Sequence, residues 1–349
     1  MKRYAKMNKK PFFSVIINNY NYGRYLEEAI DSVLAQNFPE EEREIIVVDD
    51  GSTDDSRERM MNYGNRIRCV MKDNGGQASA LNAGMAAAEG EIIALLDSDD
   101  FWRPGKLFAM YEEFKRDESL DFIFHSMEVV DDRRRIIDRY FYPSPGPGRT
   151  DTAGESYRKA FLEGRLPWFP PTSGMTVRAE CMRKALPIPG SFRIAADLYL
   201  HYILPFHIRR LLLVRKPLGY YRLHGSNLSG GDHFSAKKIR REMSVISLIR
   251  DEVEKHSLGL GLNADLLIRR MNTVVASYGI LGDNIEGRKM KALKSAFFLK
   301  TALPGDGVLY SLGRKASVII SAVLPAYLYS SLQRTYRNAS YAFRRKGKV

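Results

Sequence analysis

The sequence predicts an α/β fold: a sheet of parallel strands covered by helices on both faces, followed by a helical, basic region. Three observations carry this expectation. Short continuous apolar runs alternate with helix-period segments over the first hundred residues. Polar residues gather just after each apolar run. All of the net positive charge lies in residues 235–349.

The elements follow in order. "FFSVIINN" is a β-rich apolar run, and "YLEEAIDSVLAQ" sets Leu26, Ala29, Ile30, Val33 and Leu34 on one helical stripe. "EIIVVDDGS" is a second strand. "TDDSRERMMNYG" reads as a helix capped by Ser52 or Thr53, since a hydroxyl there can accept from an unpaired first-turn N–H. "RIRCVMK" is a third strand, "GQASALNAGMAAA" a helix and "EIIALLD" a fourth strand. Apolar strands without polar alternation imply burial on both faces, as in a parallel sheet. Beyond residue 120, "DFIFHSMEVVDDRRRIIDRYF" suggests a hairpin turning near Asp131 and Asp132, and "YPSPGPGRT" a Pro/Gly-rich loop. "SGMTVR" and "RLLLVRKPLGYYRLH" suggest further strands, with a helix around "AADLYLHYILPF" between them; the remainder reads as mostly helical.

Composition narrows the class. A chain of 349 residues with 44% hydrophobic and 27% charged residues can bury one large domain and an appendage. Cys69 and Cys181 have no zinc or disulfide spacing, so a reducing compartment is expected. The apolar run behind the basic N-terminus is shorter than a signal-peptide core. Residues 1–234 carry 33 Lys/Arg and 33 Asp/Glu; residues 235–349 carry 21 and 8, hence the whole +13. The boundary expected on these grounds separates a domain over 1–234 from a basic region over 235–349.

Ligands of parallel sheets gather at the carboxyl ends of the strands. There the sequence places Asn18, Asn19 and Tyr20, then Asp49 and Asp50, then Asn74, Gly75, Gly76 and Gln77, and lastly "DSDD", with Asp97, Ser98, Asp99 and Asp100. Three clustered carboxylates repel one another and are costly to bury ionised without a cation. A D-x-D pattern at a strand end suits Mg²⁺ or Mn²⁺, shared between carboxylates and substrate phosphates. Capping of the following segment is the competing reading, and the second acidic pair, Asp49 and Asp50, favours a nucleotide-diphosphate site.

"SVIINNYNYGRYLEEAIDSVLAQ", "EIIVVDDGSTDDS", "NGGQASALNAGMAAAEGEIIALLDSDD" and "WRPGKL" together resemble the inverting glycosyltransferases of family 2, with GT-A fold. The resemblance is strong over about 12–107, the nucleotide-sugar half, and thinner over 108–234, the acceptor half. It implies a Rossmann-like mixed sheet flanked by helices. It also implies that Asn19, Tyr20, Asp49 and Asp50 meet the nucleotide, with Asn74, Gly76, Gln77 and Ser98 on the same rim. Asp97 and Asp99 would reach ribose and metal, and Asp100 would orient them. Where the family often has "SARNAG" this chain has "SALNAG", so Leu81 replaces a positive contact; Asn82 is open between packing and ligand contact.

The resemblance further places a general base in "FRIAADLYLHYI", at Asp197. The residue also suits an N-cap before Leu198, and the two roles are compatible. "GYYRLHGSNLS" resembles a segment closing over the diphosphate, which gives Arg222 leaving-group charge and His224 a phosphate, metal or merely structural role. "PWFPPTSGM" would line the acceptor crevice through Trp168, Thr172 and Ser173, whereas Trp102 reads as packing, as do the remaining five histidines as structural residues. The implied reaction is transfer from a nucleotide-diphosphate sugar, a UDP-sugar by preference, to a glycan or polyprenyl-linked acceptor in bacterial envelope polysaccharide assembly.

Residues 288–349 hold 13 Lys/Arg and one acid, Asp306, around the uncharged "ASVIISAVLPAYLYSSLQ". Pro325 and the polar residues suit an interfacial segment on anionic lipid better than a spanning helix. The expected location is therefore cytoplasmic, peripheral on the inner face of the membrane. A soluble basic helix, a sugar nucleotidyltransferase and a nucleic-acid binder are the alternatives. The first strand's "NNYNYGRY" lacks the Gly-rich basic loop of a nucleotidyltransferase, and no recognition motif supports nucleic acid, so no nucleic-acid partner is expected.

Overall fold

A computed structural model describes residues 10–138, 149–163, 171–225, 227 and 235–299, with 315, 318, 321 and 322. Trp168, most of the Pro/Gly-rich loop and nearly all of the uncharged tail segment lie outside the described residues. The chain divides into two compact units, one of residues 1–157 and 168–224, the other of 158–167 and 225–349.

The first unit begins with β1 (Phe13–Asn19), α1 (Gly23–Leu34), β2 (Arg43–Asp50), α2 (Ser56–Met61), β3 (Arg68–Lys72), α3 (Gln77–Ala87) and β4 (Ile92–Asp97). It continues with β5 (Phe101–Trp102), α4 (Lys106–Arg116), β6 (Phe122–Val130), β7 (Ile136–Asp138), β8 (Arg149–Ala153) and α5 (Gly154–Leu162), which crosses into the second unit. It closes with β9 (Met175–Arg178), α6 (Ala179–Lys184), α7 (Ala196–Ile203) and β10 (Arg210–Arg222). The strands form one mixed sheet in the order β3-β2-β1-β4-β9-β6-β10-β5, with β7 on β6 and β8 on β10. The strands expected to be parallel, β1 to β4, are so. β9 then runs antiparallel to both β4 and β6, which returns β6 to the direction of β4. The hairpin expected at Asp131 and Asp132 is formed by β6 and β7.

Register decides what the strand ends present. β1 pairs with β2 so that Asn19 faces Asp49, and with β4 so that Asn18 faces Asp97. Asp50 faces Lys72 on β3. The polar ends are thus flush, and four loops leave one rim together. Beneath them the sheet is apolar on both sides: Val15, Ile17, Val47 and Leu96 join Leu26, Ile30, Leu107 and Phe114 of α1 and α4 in one core. On the opposite face α3 lies so near β1 that a Cβ on Gly84 would stand 2.5 Å from Ile16 Cγ2.

Two expected helix starts shift. α2 begins at Ser56 rather than near Thr53, because Ser52 turns back to the first strand and Asp54 Oδ1 accepts from Ser56 N instead. α7 begins at Ala196, so Asp197 lies in its first turn and is not its N-cap.

The second unit contains α8 (Ala236–Gly259), α9 (Asp265–Ile285) and α10 (Lys289–Phe298). Ser235 Oγ caps α8 by accepting from Lys238 N. No helix among the described residues is long and apolar enough to cross a membrane.

Gly84→Val should cost roughly 1–3 kcal/mol through overpacking against Ile16. Urea unfolding with an unchanged slope and a lower midpoint would show it; a midpoint equal to the parent's would refute the close approach of α3.

Candidate active site

The acidic end of β4 is held from behind. Asp100 is almost fully buried; its Oδ1 accepts from Arg222 N at 2.9 Å and its Oδ2 from Ser173 Oγ at 2.6 Å. The Ser173 hydroxyl also accepts from Asp97 N, and its carbonyl accepts from Trp102 Nε1. Trp102 is therefore a packing residue, as expected, that also fixes the Ser173 turn. The Arg222 guanidinium donates to the Asp99 carbonyl at 3.0 Å and to Glu28 Oε2 at 2.5 Å, and lies over the Tyr25 and Phe101 rings. It is 2% exposed. Its reach is thus toward the backbone of the acidic loop, not outward to a diphosphate, and Ser173 likewise sits within the site wall rather than in an open acceptor crevice.

The remaining carboxylates divide by their partners. Asp50 is filled: Lys72 Nζ and Gly75 N donate to one oxygen, Gly76 N and Asn74 Nδ2 to the other. It organises the loop after β3 and has little left for a nucleotide. Asp49 accepts from Asn19, Ser52 N and Arg57 Nε. Burial alone would raise its pKa, but hydrogen bonds from Ser52, Arg57 and Asn19 outweigh that and hold the carboxyl below its usual range. Asp97 accepts from Asn18 Nδ2 at 3.0 Å. Burial first, then the Asp99 charge, and after Asn18's opposing hydrogen bond the Asp197 charge, push it up to about 7, with the Thr172 hydroxyl beside it lowering it. Burial and then the charges of Asp99 and Asp97 raise Asp100 well above the carboxylate range. The same two charges, after burial, raise the Tyr22 phenol.

Asp197 is therefore brought within electrostatic reach of Asp97 from a hundred residues away. Gln77 does much of this. Its N–H donates to Arg193 O at 2.8 Å, and its Oε1 accepts from Ala196 N at 3.0 Å, capping α7. Gly76 permits the approach: it has φ +88°, and a Cβ there would stand 2.5 Å from Arg193 Cα. Asp197 Oδ1 accepts from Leu198 N. Arg193 Nη2 meets Asn74 Oδ1, and Asn82 grips both backbone groups of Ile188, which resolves Asn82 as packing. Arg193 and Arg57, cations on the rim, had no signal in the sequence beyond ordinary surface arginines.

Tyr20 is exposed at 46%, and Ser98 is buried. His224 Nε2 lies 3.1 Å from Asp99 Oδ2. Its ring packs on Tyr22 and Tyr25. Asp97, Asp99 and His224 do not draw their ligand atoms together into a preformed triad. Among the described residues, the group of three His, Cys or acidic side chains within 4.8 Å is Asp121, Glu180 and Cys181. That group is spent otherwise: Asp121 accepts from Arg209 N, Nε and Nη2, and burial pushes the Cys181 thiol up to about 12. Asp121 also precedes β6, which parallels β4, and so lies on the rim opposite the acidic loops.

The family profile described as glycosyl transferase family 2 matches residues 14–183. An uncharacterized glycosyltransferase of Nostoc sp. is 38% identical over 240 residues, covering 67% of this chain and 70% of the relative. The chain belongs to glycosyltransferase family 2. The hyaluronan synthase of Pasteurella multocida is 34% identical over 153 residues, 43% of this chain but only 16% of that enzyme. Among solved structures, S. aureus TarS 1–349 in complex with UDP-GlcNAc superposes with a TM-score of 0.58 at 19% identity, covering 94% of this chain and 92% of that one. That likeness establishes the GT-A fold. This family 2 enzyme is a glycosyltransferase, and the profile match takes in the loops that follow β1 to β4.

The raised native pKa of Asp97 has a sign. Between about 4 and 7 the folded form holds a proton that the unfolded form has lost, so stability falls as pH rises through that window, by at most ~1.4 kcal/mol per pH unit for this group. Asp97→Asn should flatten the fall. Urea midpoints at pH 5 and pH 7.5 measure it, and an equally steep fall in the variant would count against the repulsion.

Proposed function

We propose that the enzyme moves a sugar from a nucleotide-diphosphate sugar, a UDP-sugar by preference, to a hydroxyl of a glycan or lipid-linked acceptor in envelope polysaccharide assembly, with inversion at the anomeric carbon. The observation that carries this is the arrival of Asp197 within electrostatic reach of Asp97, at the acidic end of β4 in a GT-A sheet. The UDP-GlcNAc bound by TarS and the polymer made by the hyaluronan synthase support the donor and product classes. Asn19, Tyr20 and the Asp49 side meet the nucleotide on this reading, and Trp168, outside the described residues, the acceptor; Thr172, 1% exposed with its hydroxyl beside Asp97, belongs with Ser173 to the site wall.

The acidic end of β4 fits a divalent cation. Its donors are hard oxygens, and burial together with the Asp99 charge lifts Asp97 to about 7, a cost that a cation beside the two carboxylates would relieve. Asp97 and Asp99, with His224 at the edge, would hold it. When bound, Mg²⁺ or Mn²⁺ supplies Lewis-acid stabilisation of the departing diphosphate.

Asp197 takes the proton of the acceptor hydroxyl as its oxygen attacks the anomeric carbon and the bond to the diphosphate breaks. Arg222, through Asp99 O and Asp100, keeps the acidic loop in place during this displacement. The Gln77 cap holds α7 and therefore the carboxylate of Asp197. The excess of lysine and arginine in the second unit suits a peripheral site on the inner, anionic face of the membrane, where a lipid-linked acceptor resides.

Calorimetry in manganese buffer should show uptake of a UDP-sugar by both parent and Asp197→Asn, with transfer abolished in the variant. Near-normal turnover would remove Asp197 from the role, and no uptake of any activated sugar by the parent would sink the donor assignment. Gln77→Ala should lower kcat about tenfold, ~1.4 kcal/mol of barrier, with donor KM little changed. A KM rise at constant kcat would instead make Gln77 a donor contact.

A further inference from the structure

α10 is built inside out for a helix on a water-facing protein. Among its described side chains the fully buried ones are Ala292 and Ala296, which pack with Ile280, Val318 and Ala322. Three large apolar side chains are exposed instead: Met290 at 67%, Leu293 at 39% and Phe297 at 71%. A helix that only needed to dock on its own unit would bury the large residues and expose the alanines.

The exposed three form a stripe. At 100° per residue, Met290, Leu293 and Phe297 fall within about 60° of arc, and Lys289 and Lys294 stand at its two edges. Lys291 lies beyond them and pairs with Asp283 at 3.2 Å. An apolar strip with one ammonium group at each edge matches the cross-section of a bilayer surface: acyl chains beneath, anionic headgroups beside. The same unit holds all of the chain's excess positive charge. A second copy of the chain is a poorer occupant, since a symmetric pairing of the stripe would set lysines against lysines. Nucleic acid would neutralise the lysines but leave the stripe in water.

We propose that α10 is the membrane-docking element, with Met290, Leu293 and Phe297 entering the acyl boundary of an anionic bilayer while Lys289 and Lys294 meet its headgroups. This rests on the peripheral-membrane part of the proposed function and gives it a place. It is independent of the sugar-transfer chemistry.

Flotation of the full chain with phosphatidylcholine vesicles, with and without an equal share of phosphatidylglycerol, tests it. The parent should float with the anionic vesicles only, and less so in high salt. Phe297→Ser should float about tenfold less, as should the Lys289→Glu, Lys294→Glu double variant, with far-UV circular dichroism and donor hydrolysis unchanged. Variants that float like the parent would overturn the α10 assignment while leaving membrane binding standing. A parent that floats with neither vesicle would remove both. A dimer in solution that Phe297→Ser converts to monomer would overturn the proposal in favour of a second copy.

Discussion

Mutual repulsion among carboxylates at the end of β4 is the constraint around which the first unit is arranged. Asp97, Asp99 and Asp100 stand within four positions, and two of them are pushed toward the protonated state by burial and by one another. Such a loop would open toward water unless something held it. Ser173 and the Arg222 backbone hold Asp100, and the Arg222 guanidinium grips the Asp99 carbonyl while pairing with Glu28 of α1. The turn before β9, the end of β10 and a helix surface thus converge on one dipeptide. Electrostatic tension is kept at the rim, and the Arg222 guanidinium stays one layer behind it.

The acidic residues outside that dipeptide show how differently one side chain can be used. Asp50 has both oxygens filled by the loop it shapes, and Asp121 is wrapped by Arg209. Asp49 is kept ionised by its donors. Each is a carboxylate at or near a strand end, and each differs in where its donors come from: Asp50 takes two loop N–H groups, Asp121 a single arginine, and Asp49 two side chains and one N–H.

Much of this was legible in the residue string. The alternation of apolar runs and amphipathic stripes is local, so the first four strands, their helices and the β6–β7 hairpin could be read directly. The flush strand ends followed, because parallel register sets polar termini side by side. What could not be read were the partners. Arg222 looked like a cation for the leaving group, and its engagement with Glu28 spans 194 residues of chain. Asp197 suited both a general base and an N-cap, but the first N–H of α7 is met by Gln77, 119 residues earlier. Arg193 carried no local signal.

The sequence by itself determined the alternating α/β plan, the rim on which polar loops collect, the D-x-D cluster and the charge asymmetry of the two parts, since each depends on spacing along the chain. Tertiary structure alone decided which carboxylates are consumed by backbone, that Asp197 comes within electrostatic reach of Asp97, and that α10 shows Met290, Leu293 and Phe297 while burying Ala292 and Ala296. Those outcomes depend on which distant groups arrive within hydrogen-bonding or packing distance, and periodicity carries no record of that.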